Sequence, residues 1–343
     1  MSRPRVTRAT RRRFIRTAAA ASAATVLGAP YIARGAAKQL RIATLAPDGS
    51  SWHKAFEETS REVYARTNKE LELLVFAGGT MGDEPAMVRK MRHGQLDGAA
   101  ITSVGLGEID KQLLMLQLPL LFKDEKQLDH VREKMSSTFE GMLEKAGFKL
   151  GAWGDVGFIY LFSNTAIKTP DDIKSTKMWV WDSDPVSKAV MAVAGVNAVE
   201  LGVPDVLPGL QTGLIDAFTN SPYGAIALQW YSKAAFVTNL KLSVGIGGSV
   251  LTQKAWNDLD PAHQQVITDV TQEKYGELVT RIRKDNKKAI KSLKEAGLTV
   301  VEPDDFMKWA SIAVQARDKL VKDGVLDGAL VKTMLGHLES APD

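Results

Sequence analysis

The 343-residue chain contains no cysteine, and it has only five histidines. Disulfides, thiolate metal sites and lipid attachment through an N-terminal cysteine are therefore excluded. No two of the histidines stand at the spacing of metal ligands on one helix or loop. We therefore expect neither a metal site nor a bound cofactor.

Several enzyme signatures are also missing. There is no phosphate-binding loop, no zinc-protease pair of histidines and no nucleophile elbow. Gly105 and Gly107 form a lone Gly-x-Gly pair without the third glycine of a dinucleotide fingerprint. A glycosidase would need two carboxylates that converge, and the sequence does not show this. The sequence therefore favours a binding protein over an enzyme.

Acidic residues are absent from the N-terminal segment, residues 1–37, which holds eight arginines. Arg11, Arg12 and Arg13 precede an Ala-rich, weakly apolar run that is shorter than the roughly 20 residues that span a bilayer. This order is typical of a cleaved secretory signal, and the adjacent arginines are typical of twin-arginine export. A nucleic-acid-binding tail would share the charge, but the Ala run favours export. We predict a periplasmic protein.

The apparent basicity of the chain belongs to this segment. Removal of its eight arginines from the 44 basic residues leaves 36 against 40 acidic residues, a net charge of −4. No basic patch interleaved with aromatics follows, so nucleic acid is not an expected partner. The remaining length suits two domains.

A short pattern occurs twice. Met91 to Asp97 and Leu210 to Asp216 each read as a helix end, a glycine and a strand that carries an aspartate. The glycines, Gly94 and Gly213, can take the left-handed conformation that closes a helix. Two such βαβ ends predict two similar α/β lobes, although α/β proteins often end helices in this way. We expect the two aspartates to bond nearby backbone.

The predicted elements place a cleft. Residues 39–101 alternate strand and helix as βαβαβ, which favours a parallel sheet, and residues 158–218 repeat this order. A helix capped by Asp260 is predicted from Pro261 to about Ala296, with a length on the order of 50 Å that would brace both lobes. Ligands bind beyond the carboxyl ends of parallel strands, so a ligand would lie between the lobes.

Two tryptophans alternate on one short predicted strand. Trp179 and Trp181 would point to one face, and Met178 and Val180 to the other. The indoles could fill a lobe core, or they could form an apolar wall for a ligand. The pattern leaves both interpretations open.

An ordered set of motifs resembles the substrate-binding receptors of tripartite ATP-independent periplasmic (TRAP) transporters along nearly the whole mature chain. The matching stretches begin at Ala43, Gly78, Met87, Gly94, Leu118, Thr169 and Leu210. The resemblance implies two hinged α/β lobes, a helix across both, and delivery of a captured solute to membrane permease subunits.

The chain departs from this family at one position. The family usually carries an arginine on the second-lobe strand that grips a substrate carboxylate, and here Trp179 stands there. A second arginine of sialic-acid-type members would fall near Phe158. The resemblance therefore indicates a subgroup that lacks the carboxylate-binding arginine and has a hydrophobic cleft, part of which works with a helical-repeat partner protein.

These observations lead to one set of expectations. The fold is a two-lobed periplasmic binding protein, type II-like, with each lobe a mostly parallel sheet flanked by helices. Residues 38–157 and 250–285 form lobe I, and residues 158–249 and 286–343 form lobe II. The protein captures a small apolar or amphipathic molecule. The expected ligand-binding residues are Trp52, Glu84, Trp179, Trp181, Asn220 and Tyr223.

The expected roles differ among these residues. The tryptophans and Tyr223 supply apolar contact, and Asn220 supplies a hydrogen bond. Glu84 bonds a polar tip of the ligand, or it is an ordinary acid at a helix start. Three alternatives remain open: a receptor that binds carboxylates through a non-standard site, a sensor subunit that presents a ligand, and a periplasmic enzyme.

Overall fold

The computed structural model describes residues 36–342. The predicted export signal, apart from its last two residues, lies outside this range. Within the range no helix has the length and apolar character needed to cross a membrane.

The first lobe begins with the predicted βαβαβ unit. Its elements are β1 (Lys38–Thr44), α1 (Ser51–Arg66), β2 (Leu71–Phe76), α2 (Glu84–Arg92) and β3 (Gly98–Thr102). Strand β1 pairs in parallel with both β2 and β3. Both connections are helical because parallel neighbours need a long crossover. The parallel core predicted for this lobe is confirmed.

Helices then lead to the first of two long strands. They are α3 (Ser103–Ile109), a 3-10 helix (Lys111–Gln117) and α4 (Glu125–Lys145), and they are followed by β4 (Phe148–Ser163). The apolar faces of these helices pack with β3 and β4 in one buried cluster.

The second lobe repeats short strands and helices. A 3-10 helix (Pro170–Ser175) precedes β5 (Trp179–Trp181), α5 (Pro185–Ala194), β6 (Val199–Leu201), α6 (Val203–Thr212), β7 (Ala217–Asn220) and α7 (Pro222–Ala227). Strands β5 and β6 pair in parallel, and Met178 bridges in parallel to Ala217 of β7.

The chain then returns and is completed by helices. After a 3-10 helix (Trp230–Lys233) come β8 (Phe236–Thr252), α8 (Gln253–Asn257), α9 (Pro261–Glu295), β9 (Thr299–Val301), α10 (Phe306–Lys322) and α11 (Gly328–Glu339). The long predicted helix is α9. Its Asp260 cap is confirmed, because the Asp260 side chain accepts a hydrogen bond from the His263 backbone N–H.

Strands β4 and β8 run through both lobes as an antiparallel pair. The sheet order is β2-β1-β3-β8-β4-β7, and β9 pairs with β8 outside this order. Antiparallel strands therefore extend each parallel unit, and the lobes share a continuous sheet. The glycines of the segment 243–252 predict a flexible crossing, but the structure has this segment as ordered strand. A Cβ at its Gly247 would lie 2.7 Å from the Ile101 carbonyl oxygen, so close strand packing requires glycine there.

The duplicated pattern has the same hydrogen bonds in both lobes. Gly94 and Gly213 are both left-handed, with φ of 68° and 72°. The Asp97 carboxylate accepts the Arg41 backbone N–H at 2.8 Å, and the Asp216 carboxylate accepts that of Lys177 at 2.7 Å. The prediction that these aspartates bond backbone is confirmed. Each one joins its own strand to the neighbouring strand of the same lobe.

The helix α9 contacts both lobes. Its first half packs Ile267 and Val270 against β1 and β2 residues. Tyr275 packs with α1, and Leu293 near the other end lies in a cluster built around β7. The expectation that this helix braces both lobes is confirmed.

The expected division of the chain into lobes stays a prediction. Residues 286–343 are expected in lobe II, but α11 packs against α4, which lies within residues 38–157. The expected borders at 157/158 and 249/250 fall inside the continuous strands β4 and β8.

A charge cluster fastens β4 near the point where it passes between the lobes. The Asp155 side chain is only 2% exposed, and its carboxylate accepts hydrogen bonds from Arg132 of α4 at 2.8 Å and Arg283 of α9 at 2.7 Å. Both arginines also bond Asp129. Two aspartates thus balance two arginines, which offsets the cost of burying the charges.

Gly157 lies just beyond this cluster at a register shift of β4. Its φ is 111°, and a Cβ there would lie 2.4 Å from the Asn286 side-chain nitrogen. Asn286 of α9 donates to the Val156 carbonyl and accepts the Tyr223 backbone N–H at 3.0 Å. The position therefore requires glycine both for its backbone and for the approach of α9.

Gly157→Ala should lower the free energy of unfolding by about 2 kcal/mol or more, because the new Cβ meets Asn286 and the left-handed backbone is strained. Urea denaturation followed by circular dichroism measures this. Gly276→Ala is the control, since Gly276 lies exposed within α9 with no atom within 4 Å of its added Cβ. Helix propensity predicts that this control gains about 1 kcal/mol. Equal stabilities of the two variants would show that position 157 does not require glycine.

Candidate functional site

A cavity of about 310 Å³ lies between the two lobes. Its wall includes residues that follow β1, β3, β5, β6 and β7, which is the carboxyl-end position expected of a ligand site in parallel sheets. The apolar part of the wall includes Trp52, Phe56, Leu120, Val156, Ile159, Trp179, Trp181, Val190, Met191 and Ile312.

The charges on the wall have one sign. Glu84, Asp155 and Asp184 line the cavity, and no arginine, lysine or histidine among residues 36–342 does so. Arg132 and Arg283 neutralise Asp155 from behind. A bound anion would therefore meet no cationic side chain from the described part of the chain.

Trp52 and Tyr223 form one aromatic pair across the lobes. Their ring centroids are 4.8 Å apart. The Trp52 indole N–H donates to the Asp155 carbonyl at 3.1 Å, and the Tyr223 hydroxyl accepts the Ser51 backbone N–H at 2.7 Å. Trp52 lines the cavity, whereas Tyr223 lies outside its lining. Tyr223 therefore holds Trp52 in place, and its predicted ligand contact stays a prediction.

Trp179 and Trp181 share one face, as their alternation predicts, and Met178 and Val180 pack in a different cluster. Trp179 is 5% exposed, packs edge-on against Trp230 at 5.3 Å and donates its indole N–H to the Leu201 carbonyl. Trp179 therefore contributes both to the lobe core and to the cavity wall. The two interpretations of this residue are not exclusive.

Trp181 is half-buried and joins the lobes through Asp83. Its indole N–H donates to the Asp83 carboxylate at 2.7 Å, and the Val203 N–H reaches the same oxygen at 3.3 Å. Asp83 also caps α2 through the Glu84 N–H. Burial raises the pKa of Asp83. This interlobe contact was not predicted, since Asp83 reads in the sequence only as a helix cap.

Glu84 is buried against the start of α3. Its carboxylate accepts the Thr102 N–H at 2.8 Å, the Thr102 hydroxyl at 2.8 Å and the Gly105 N–H at 2.7 Å. Burial raises its pKa to about 7. Glu84 therefore satisfies free N–H groups of a second helix while it lines the cavity.

Asn220 lies at the end of β7 on the cavity wall. Its side-chain oxygen accepts the Ser221 N–H at 2.8 Å. Within residues 36–342 no hydrogen bond uses its side-chain nitrogen, so this donor is available to a ligand. Phe158 is 7% exposed and packs under the Lys241 amine at 4.2 Å.

Three polar residues of the wall were not among the predicted site residues. The Ser103 hydroxyl donates to the Gln117 side-chain oxygen in a short hydrogen bond, and the Gln117 amide donates to the Asp184 carboxylate at 3.0 Å. Asp184 caps α5 through the Val186 N–H. Its place before Pro185 signals a helix start, but no sequence signal pairs it with Gln117, which lies 67 residues earlier.

Within the described residues no group of histidine and acidic side chains is arranged to hold a metal ion. The site therefore consists of an apolar cavity, three carboxylates and a few neutral polar groups. These groups can hold a ligand through apolar contact and hydrogen bonds.

Comparisons with known proteins give the family of the chain. Residues 42–323 match the family described as bacterial extracellular solute-binding protein, family 7 (DctP). The 2,3-diketo-L-gulonate-binding periplasmic protein YiaO of Escherichia coli is 26% identical over 305 residues, which are 87% of this chain and 92% of that protein. The C4-dicarboxylate-binding periplasmic protein DctP of Rhodobacter capsulatus is 24% identical, with coverage of 82% and 84%.

The fold agrees with solved structures as well. The sugar acid binding protein DctPAm of Advenella mimigardefordensis, in complex with galactonate, superposes with a TM-score of 0.84 at 19% identity. The superposition covers 89% of this chain and 99% of that one. The predicted two-lobed, type II-like fold is confirmed.

The relatives are solute-binding proteins, so the alternative of a periplasmic enzyme is not supported. The match spans most of the chain, and the fold and the interlobe cavity suit this function. The chain belongs to the DctP family of bacterial extracellular solute-binding proteins, the periplasmic receptors of TRAP transporters.

Proposed function

We propose that this receptor captures a small uncharged or amphipathic molecule with a sizeable apolar part and delivers it to the membrane permease subunits of a TRAP transporter. The observation that carries the proposal is the wall of the interlobe cavity. This wall is largely apolar, and none of its residues within 36–342 is a cation.

The physical reason is the cost of desolvation. A carboxylate that leaves water needs a charge-assisted partner, and no cationic side chain of residues 36–342 lines this cavity. An apolar ligand gains roughly 25 cal/mol for each Å² of buried apolar surface. The cavity volume of about 310 Å³ suits a small molecule.

We further propose that the protein belongs to a subgroup of the family without the carboxylate-binding arginine. Trp179 stands at the position where the resemblance places that arginine, and its indole is committed to Leu201 and Trp230. Phe158 stands near the position of the second arginine and is also apolar.

The proposed roles of the site residues follow from their positions. Trp52, Trp179 and Trp181 supply apolar contact on the wall. Asn220 offers its side-chain N–H to the ligand, and Glu84 bonds a polar tip. Tyr223 packs against Trp52 beside the cavity, and its own apolar contact with the ligand stays a prediction.

The remaining expectations concern export, organisation and partners. We propose export by the twin-arginine route through residues 1–37 and a helical-repeat partner for this subgroup. We also propose that the lobe borders lie at 157/158 and 249/250, within β4 and β8.

One competing function has support from the comparisons. Proteins named for 2,3-diketo-L-gulonate and C4-dicarboxylates are among the relatives. A receptor that binds a carboxylate through a non-standard site would use neutral donors such as Asn220 in place of a guanidinium.

A ligand screen separates these functions. We expect apolar and amphipathic compounds to raise the melting temperature of the mature protein, and native mass spectrometry to detect a co-purified molecule with a large apolar part. Succinate and galactonate serve as the acidic comparison ligands. Tight binding of either acid, with no response to the apolar compounds, would contradict the proposal.

The ionisation of Glu84 predicts a pH-dependent stability. Its pKa is raised by burial from 4.5 to about 7, so the folded state holds this proton more tightly than the unfolded state. Stability from this group is present below pH 4.5 and is lost as the pH rises to about 7. The loss should be on the order of 2 kcal/mol between pH 5 and pH 8.

Urea denaturation at these two pH values measures the loss. Glu84→Gln should lack this part of the pH dependence, because an amide does not ionise. Glu108→Gln, at an exposed position of α3, should keep the dependence of the unmodified protein. The same pH dependence in all three proteins would show that Glu84 does not titrate in this range.

A further inference from the structure

The cavity wall contains a directed chain of three polar side chains that joins the lobes. Ser103 begins α3 and Gln117 ends the following 3-10 helix, both in the first lobe, whereas Asp184 caps α5 in the second. All three line the cavity, and Ser103 and Gln117 are 2% and 9% exposed.

The chemistry of the groups sets the direction of the chain. An ionised carboxylate only accepts hydrogen bonds, so the Gln117 amide must turn its nitrogen toward Asp184. Its oxygen then accepts the Ser103 hydroxyl. The chain therefore ends on an acceptor at the cavity wall.

The Asp184 carboxyl group has no cationic partner among residues 36–342, and burial raises its pKa. Its hydrogen-bonding neighbours are Gln117, Val186 and Ser187, all neutral, and no ion pair within residues 36–342 includes it. This distinguishes Asp184 from Asp155, which two arginines neutralise. A like charge brought close to Asp184 would be repelled in a poorly solvated site.

The surroundings of Asp184 on the wall are apolar. Val186, Val190 and Met191 follow it on α5, and Trp181 precedes it. A ligand here would bury an apolar body beside a single accepting group.

We propose that Asp184, oriented by Gln117 and Ser103, is the polar anchor of the site and binds a hydrogen-bond donor of the ligand. The ligand class is then an apolar body that carries a hydroxyl or protonated amine, and the carboxylate analogue is rejected. This inference rests on the proposed function, because it assigns the polar end of the same apolar ligand.

The test compares three head groups on the same skeletons. Cyclohexylmethanol, cyclohexylmethylammonium and cyclohexanecarboxylate, together with the corresponding linear hexyl compounds, are titrated into the mature protein by calorimetry and thermal shift. We expect the alcohol or the amine to bind at least about tenfold more tightly than the carboxylate, a difference that one charge-assisted hydrogen bond supplies. The stronger of the two donors shows which head group the site prefers.

Asp184→Asn is the informative variant, because asparagine can still cap α5 and only the charge is removed. It should reduce the preference for the donor over the carboxylate by about tenfold. Ser103→Ala, which removes only the orientation of Gln117, should reduce it by about threefold. Asp182→Asn is the control, since Asp182 is exposed two residues away and does not line the cavity.

The possible results separate the two proposals. If the carboxylate binds as tightly as the donors, or if Asp184→Asn leaves the preference unchanged, the anchor is wrong while the apolar receptor survives. If none of the apolar skeletons binds, both proposals are overturned. Melting curves of each variant without ligand show whether the substitution has altered folding instead of recognition.

Discussion

The antiparallel pairing of β4 and β8 is the constraint on which the rest of the structure depends. The two strands pair from Phe148 with Thr252 at one end to Ser163 with Phe236 at the other, and they pass through both lobes. Every other strand of the shared sheet attaches to this pair directly or through β3 and β1. The cavity lies where the pair leaves one lobe and enters the next, because residues of both strands form its wall.

The same crossing explains the electrostatic character of the site. Asp155 lies on β4 at the crossing, and its carboxylate holds Arg132 and Arg283 together behind the wall. Those arginines also bond Asp129, so two carboxylates balance their positive charges. The Asp155 carbonyl meanwhile fixes Trp52 on the cavity side. Asp155 thus connects the strand pair to the cavity wall and pairs with both arginines. No cation of the described residues lines that wall.

Two hydrogen bonds across the cavity are of the same kind. Asp83 accepts the Trp181 indole N–H, and Asp184 accepts the Gln117 amide N–H. In each contact a carboxylate at a helix start receives a neutral donor from the other lobe. Such hydrogen bonds are stronger than neutral ones because one partner is charged. A ligand between the lobes therefore adds to contacts that the protein already makes across the same gap.

Local patterns predicted much of this molecule. The two helix-ending glycines, the aspartates that follow them and the Asp260 cap all depend on residues close in the chain, and the structure has them as expected. The alternation at residues 178–181 placed the two indoles on one face for the same reason. The prediction of a flexible crossing at 243–252 was wrong, because glycines suit close packing against β3 and β4 as well as they suit a flexible loop.

The candidate site was likewise predictable from the sequence only in part. Membership in a two-lobed receptor family and the aromatic, arginine-poor character of the cleft were readable from motifs and residue types. The partners of those residues were not, because Trp181 with Asp83, Gln117 with Asp184 and Arg283 with Asp155 are 98, 67 and 128 residues apart. Periodicity and capping act over one or two turns of chain, whereas the assignment of each polar group to its partner requires the folded lobes to meet.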